Sequence, residues 1–118
     1  MDRPTLLTVR RLEPRMGIDR LIDAASQVRS KRPELDFNLV IIGKGSQAEM
    51  LQSKVDSAGL EDRVRLTGEV SADDLIHFYQ AADAFVLPTT ELEGFGLATV
   101  EAVYAALRIM NRPVDGIL

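Results

Sequence analysis

A doubly wound α/β fold, a parallel sheet covered by helices on both faces, is what the 118-residue chain predicts. Two observations carry the expectation. Short aliphatic and β-branched runs recur at 5–9 (TLLTV), 37–43 (FNLVIIG), 63–68 (RVRLTG) and 84–87 (AFVL), with few polar interruptions, as in strands buried on both faces. The segments between them carry apolar residues at helical spacing. Strand and helix alternating at this interval make βαβ units, and a chain of this length closes around one core, so residues 1–118 are read as one domain.

The elements follow in order. After the first strand, RRLEPRMG (10–17) reads as a loop. Ile18, Leu21, Ile22, Ala25 and Val28 then fall on one helical face, which SKRPEL with Pro33 brings to an end. The second strand leads into the glycine-rich turn GKGSQ and a helix over AEMLQSKVDSAG closed by Gly59. After the third strand, Ser71 stands at an N-cap with Asp74 three residues on, a capping box with Asp in the Glu position. That helix runs through Leu75, Ile76, Phe78, Tyr79 and Ala82. The fourth strand follows, then a helix from Phe95 to about Leu107, and RIM (108–110) as the start of a fifth strand.

Composition narrows the function classes. Hydrophobic residues at 46% and charged residues at 27% describe a soluble globular chain. The apolar runs are far below the roughly 18 to 20 residues that span a bilayer, and no secretory leader pattern is present. Zero cysteines exclude disulfides, thiolate zinc sites and cysteine nucleophiles, and fit a cytoplasmic location. A net charge of −4 argues against nucleic-acid binding. The first 20 residues run against that sum, with Arg3, Arg10, Arg11, Arg15 and Arg20 opposed only by Asp2, Glu13 and Asp19. Such a cluster is either a solvated face or an anion site.

In a doubly wound sheet, ligands bind outside the carboxyl ends of the strands, near the point where strand order reverses. The loops RRLEPRMG, GKGS and PTTELEGFG are therefore the places to look. The last contains Glu93, and Glu101 follows eight residues later. Glycoside hydrolysis needs two carboxylates on opposite sides of a bond. Here both would approach a ligand from one loop–helix edge, which fits that chemistry poorly. Gly94-Phe95-Gly96 at a helix N-terminus would favour an anion, and carboxylates beside it would accept hydrogen bonds from hydroxyls. That combination matches a nucleotide sugar; the plainer alternative is a loop charge and an exposed helix residue. GKGS lacks the spacing of a phosphate-binding P-loop, so Gly43 reads first as a strand-to-helix turn. His77, the lone histidine, lies in an amphipathic helix as a surface or half-buried residue, and no His, Asp or Glu cluster has metal-ligand spacing.

With these residues in view, the chain resembles the first two thirds of the C-terminal, nucleotide-binding domain of retaining glycosyltransferases of GT-B architecture, the glycosyltransferase group 1 family. The resemblance rests on EGFGL with its E-x(7)-E spacing from Glu93 to Glu101. RRLEPRMGID, VIIGKGS, RVRLTGEVSADDLIHFYQAADAFVLPT and EAVYAAL add to it in family order. It implies a three-layer Rossmann-like half of a GT-B enzyme, incomplete at its end. It implies a nucleotide diphosphate sugar as donor substrate, no further cofactor and no metal.

By the same resemblance, Glu93 would orient the transferred sugar and Glu101 would accept from the ribose hydroxyls. Amides around Phe95, Gly96 and Leu97 would face the diphosphate or sugar. Arg11 would clamp the diphosphate, with Gly43 in the adjoining turn, and the backbone near Glu69 and Val70 would meet the base. Many family members carry lysine where this chain has Met16, and Arg15 is the neighbouring candidate for its charge. The stretch after Leu107 departs from the family's glycine- and proline-containing turn. The resemblance further implies a missing N-terminal acceptor domain, no transfer by this fragment alone, and a parent enzyme in the cytoplasm or at the inner membrane surface. The competing expectation is a non-catalytic α/β module that self-associates through an unfinished sheet edge. A flavodoxin-like signalling domain ranks below both, because the first strand ends in a basic loop.

Overall fold

A computed structural model describes residues 3–86. Within them the order is β1 (Thr5–Val9), α1 (Ile18–Lys31), β2 (Asn38–Ile42), α2 (Ala48–Ser57), β3 (Val64–Gly68), α3 (Ala72–Ala81) and β4 (Ala84–Phe85). All strand pairings are parallel, in the order β3-β2-β1-β4. The chain steps outward from β1 to β3, then returns across the sheet to place β4 on the free side of β1. The reversal lies between β1 and β4. A right-handed crossover in each direction puts α3 on the face opposite α1 and α2. The predicted helix 95–107 and strand from 108 lie outside the described residues.

Alternation along the strands sorts the two faces. Leu6, Leu39, Ile41 and Val64 pack with Ile18, Leu21, Ile22, Ala25 and Val28 of α1 and Leu51 and Val55 of α2 in one continuous core. Phe37, 1% exposed, closes the bottom of that core just before β2. On the other face, Leu7 and Ile42 are buried, but Phe85 is 59% exposed. Helix α3 buries none of its residues fully: Ile76 and Tyr79 are 54% and 44% exposed, and Tyr79 meets the Phe85 ring at 5.2 Å, tilted by 57°. Its apolar stripe thus covers far less of the sheet than the sequence pattern leads one to expect. His77 is exposed on this helix.

Element ends depart from the predicted bounds for local reasons. Strand β2 is one residue shorter at each end, because Phe37 turns into the core and Gly43 takes φ 148°. Helix α2 ends at Ser57 and is closed by Gly59, as predicted. The Leu60 N–H bonds the Val55 carbonyl at 3.0 Å and the Gly59 N–H bonds the Asp56 carbonyl at 3.1 Å, a Schellman cap with Gly59 at φ 69°. Helix α3 starts as predicted, with the Asp74 N–H donating to Ser71 Oγ at 3.1 Å, and stops at Ala81 because Ala82 is extended. Strand β4 is only two residues long, although the Val86 N–H still bonds the Leu7 carbonyl at 2.9 Å. Its start is held by Asp83, whose carboxylate accepts from the Thr5 N–H at 2.7 Å and whose own N–H bonds the Thr5 carbonyl at 2.9 Å.

Phe37→Ala removes a ring from a close-packed core, and a loss of about 3 to 5 kcal/mol is expected by chemical denaturation. Ser71→Ala removes only a cap bond at the surface, so about 1 kcal/mol is expected in the same assay.

Candidate functional site

The carboxyl edge of the sheet is built by main chain before any side chain contributes. Past the end of β1 the chain keeps running beside the chain that leaves β2. The Arg10 N–H bonds the Ile42 carbonyl and the Leu12 N–H bonds the Lys44 carbonyl, both at 2.9 Å; the Gln47 N–H returns to the Leu12 carbonyl at 2.9 Å. A Cβ at Gly43 would run into the Arg10 carbonyl oxygen, and one at Gly45 into the Leu12 carbonyl. Any side chain there would therefore push the arginine loop off its neighbour. Gly43 meets two demands at once, the close approach and a positive φ. The third strand is tied in by the Gly43 N–H bonding the Gly68 carbonyl at 3.1 Å. A register shift between Ile41 and Ile42 leaves Thr67 as an extra residue in β3, a bulge that re-aims the chain toward Glu69 and Val70.

Side chains then lock the same loops together. Glu13 takes the Ser46 hydroxyl on Oε1 at 2.5 Å and the Ser46 N–H on Oε2 at 3.2 Å. These bonds, with a smaller contribution from the Arg11 charge, hold the Glu13 carboxyl below its ordinary value of 4.5. Lys44 meets Glu69 at 3.2 Å, both largely exposed, which joins the second loop to the third. Leu12, buried in the core, anchors the arginine loop from below, and Met16 packs against that core from the position where a lysine was expected.

The sequence-predicted residues divide accordingly. Arg11 and Arg15 both lie exposed on the loop leaving β1, Arg15 at φ 72°. Gly43 lies against that loop, and exposed Glu69 and half-buried Val70 follow the β3 bulge. Glu93, Phe95, Gly96, Leu97 and Glu101 lie outside the described residues; described strand β4, which precedes them, is hydrogen-bonded directly to β1. The arginine cluster itself is split. Arg3 sits at the opposite end of β1, about 23 Å from Arg10 at strand rise, where it meets Asp36 at 3.8 Å. Thr8 Oγ1 and Arg10 Nε, two residues apart at the carboxyl end of the central strand, are shielded from solvent without a hydrogen-bond partner. Among the described residues, no group of three or more His, Cys, Asp or Glu could hold a metal ion, and no helix is long and apolar enough to cross a membrane.

Sequence reasoning missed the Glu13–Ser46 clasp, the role of Gly45 and the Lys44–Glu69 pair. The clasp joins residues 33 apart with no motif to mark them. The two glycines did leave a signal: their spacing of two puts both on one side of an extended chain, where a neighbouring backbone must pass.

Comparison with known proteins gives this edge its family. Residues 1–117 match the family described as Glycosyl transferases group 1. The chain belongs to that family. It is 32% identical over 115 residues to the GDP-mannose-dependent alpha-(1-6)-phosphatidylinositol monomannoside mannosyltransferase of Mycobacterium tuberculosis, covering 92% of this chain and 29% of that enzyme. Its fold is similar to the C-terminal domain of the group 1 glycosyltransferase LpcC from Francisella tularensis. That match has a TM-score of 0.61 and 24% identity, covering 85% of this chain and 55% of the other. The pneumococcal O-GlcNAc transferase GtfA, solved with UDP and GlcNAc, matches with a TM-score of 0.63 and 26% identity over 81% of this chain and 18% of that one. The described sheet is thus the Rossmann-like layer of a GT-B glycosyltransferase. The 118 residues span between 20% and 29% of the length of the curated relatives they match.

Two outcomes test this construction. Gly43→Ala combines a collision with main chain and a strained φ, so a loss of about 2 to 4 kcal/mol is expected. Gly59→Ala, at a positive φ with open space around it, should lose only about 1 to 2 kcal/mol. Urea titrations of both variants measure the difference. The Glu13 carboxyl titrates below 4.5 in the folded chain, so its contribution to stability is fully present above that pH and is lost as pH falls through the lowered folded value. Wild type should therefore lose stability relative to Glu13→Gln as pH is lowered from 5 toward 3.

Proposed function

We propose that this chain is the donor-binding part of a retaining glycosyltransferase that moves a hexose from a nucleotide diphosphate sugar to an acceptor. The observation that carries the reading is the reversal of strand order between β1 and β4. It sets the arginine loop of β1 beside the strand that feeds Glu93 and Glu101. A cleft at that reversal is where a doubly wound sheet receives a ligand. Shielded, unpartnered Arg10 Nε at the same strand end supports an anion as the ligand. GtfA, solved with UDP, and the mannosyltransferase named for GDP-mannose support a nucleotide diphosphate, and they differ in base.

In this reading Arg11 and Arg15 neutralise the departing diphosphate. A guanidinium stays charged at all working pH values and matches two phosphate oxygens at once. Stabilising charge that develops on the leaving group is the main catalytic contribution. Glu93 orients the sugar, Glu101 accepts from the ribose hydroxyls, and amides near Phe95, Gly96 and Leu97 face the diphosphate. Gly43 lets the loops close up beneath it, and the chain at Glu69 and Val70 lies toward the base. No metal or further cofactor takes part. The part of the reaction assigned to these 118 residues is binding of the donor. The parent enzyme works in the cytoplasm or at the inner face of the membrane.

A second reading draws on one observation: Ile76, Tyr79 and Phe85 form an exposed apolar patch on α3 and β4. Patches of this kind mark association surfaces. A non-catalytic module would self-associate there.

Calorimetric titration with UDP, GDP and ADP separates the two. Saturable binding of one nucleotide is expected, weakened by about 1.5 to 3 kcal/mol in Arg11→Ala and by about 1 to 3 kcal/mol in Glu101→Ala. No binding at millimolar nucleotide, with a mass by light scattering that rises with concentration, would leave the module reading in its place.

A further inference from the structure

The arginine loop holds one carboxylate, Glu13, between Arg11 and Arg15 in sequence. A carboxylate two residues from a guanidinium is within side-chain reach and competes with phosphate for the same fork. In this fold it does not compete, because both of its oxygens are taken by Ser46, one by the hydroxyl and one by the main-chain N–H. Arg11 makes neither a hydrogen bond nor an ion pair among the described residues and is left exposed at the strand end. Resting on the donor-binding reading above, we propose that Ser46 is a positioning residue for the diphosphate site: it holds Glu13 off Arg11, leaving that guanidinium to the phosphate oxygens of the donor.

The arrangement has a physical logic. Neutral donors on Ser46 satisfy the carboxylate without cancelling a cation, so the loop stays electropositive although it contains an acid. The causes of the lowered Glu13 pKa agree in order: the two Ser46 bonds come first, and the Arg11 charge contributes least. The loops are already joined by three main-chain bonds, from Arg10, Leu12 and Gln47, so the clasp is not needed to bring them together. What Ser46 adds is the choice of partner for Glu13.

The test uses the 118-residue chain and three variants, Ser46→Ala, Glu13→Gln and the double variant. Each is titrated calorimetrically with inorganic pyrophosphate and with UDP, GDP and ADP. NMR of the arginine Nε–H groups reports the state of Arg11 directly. In Ser46→Ala, Glu13 is released to Arg11. Dissociation constants should rise about two- to fivefold, the range of an exposed ion pair, and the Arg11 Nε–H signal should shift downfield before ligand is added. Glu13→Gln removes the competing charge and should bind at least as well as wild type. The double variant should return to wild-type affinity or better, with the Arg11 signal restored.

A merely structural clasp makes the opposite prediction, because Glu13→Gln cannot rescue a bond that Ser46 no longer makes. A double variant as weak as Ser46→Ala would therefore overturn the proposal. So would unchanged binding and an unmoved Arg11 signal in Ser46→Ala; in both cases the donor-binding reading stands. Failure of the wild-type chain to bind pyrophosphate or any of the nucleotides would instead sink the donor-binding reading, and this proposal with it.

Discussion

The close fit of main chain against main chain at Gly43 and Gly45 is the constraint on which the rest of the carboxyl edge depends. The parallel ladder between β1 and β2 would ordinarily end with the strands. Here it continues through Arg10 and Leu12, and it can do so only because no Cβ stands in the way. Two consequences follow from that one steric fact. Arg11 stays in extended chain with its side chain toward solvent. Leu12 reaches the core and anchors the loop. A basic loop in solution would spread its like charges apart; this one is held in place by main-chain hydrogen bonds from Arg10 and Leu12 and by the bonds of Ser46 to the Glu13 carboxylate.

Charge at this edge is sorted by the fold rather than by composition. The acidic chain has a basic strand end because Glu13 is engaged by Ser46, while Glu69 and Lys44 neutralise each other. Toward the other end of the sheet, Arg3, Arg29, Arg32 and Arg63 meet Asp36, Asp62 and Glu34 in exposed pairs. Such pairs contribute little to stability, but they keep those cations from counting toward an anion site. The five arginines among the first twenty residues therefore do not form one patch.

The two faces of the sheet are stabilised unequally. The α1–α2 face carries a continuous aliphatic core, whereas α3 lies over the other face with its apolar side chains only half covered. Within the described residues, local opening is expected to be easiest at α3 and β4, where few apolar contacts among those residues resist it. That side adjoins the strand-order reversal and leads into Glu93 and Glu101. The least buttressed part of the described fold thus borders the reversal of strand order.

The doubly wound class, its strand and helix order and the start of α3 at Ser71 were determined by sequence alone. Aliphatic runs, helical spacing and a capping residue act over a few neighbouring positions, and their physics is local. The family was legible for a different reason: the Glu93-to-Glu101 spacing and the loop motifs stand in the family's order along the chain. Tertiary structure alone decided what depends on distant parts meeting. Gly45 is needed because Leu12 passes beside it. Ser46 finds Glu13 across 33 residues, Thr67 bulges where β3 meets the end of β2, and Arg3 leaves the arginine cluster for the far end of β1. Each of these is a contact set by the register and closure of the sheet, and no run of adjacent residues carries that information.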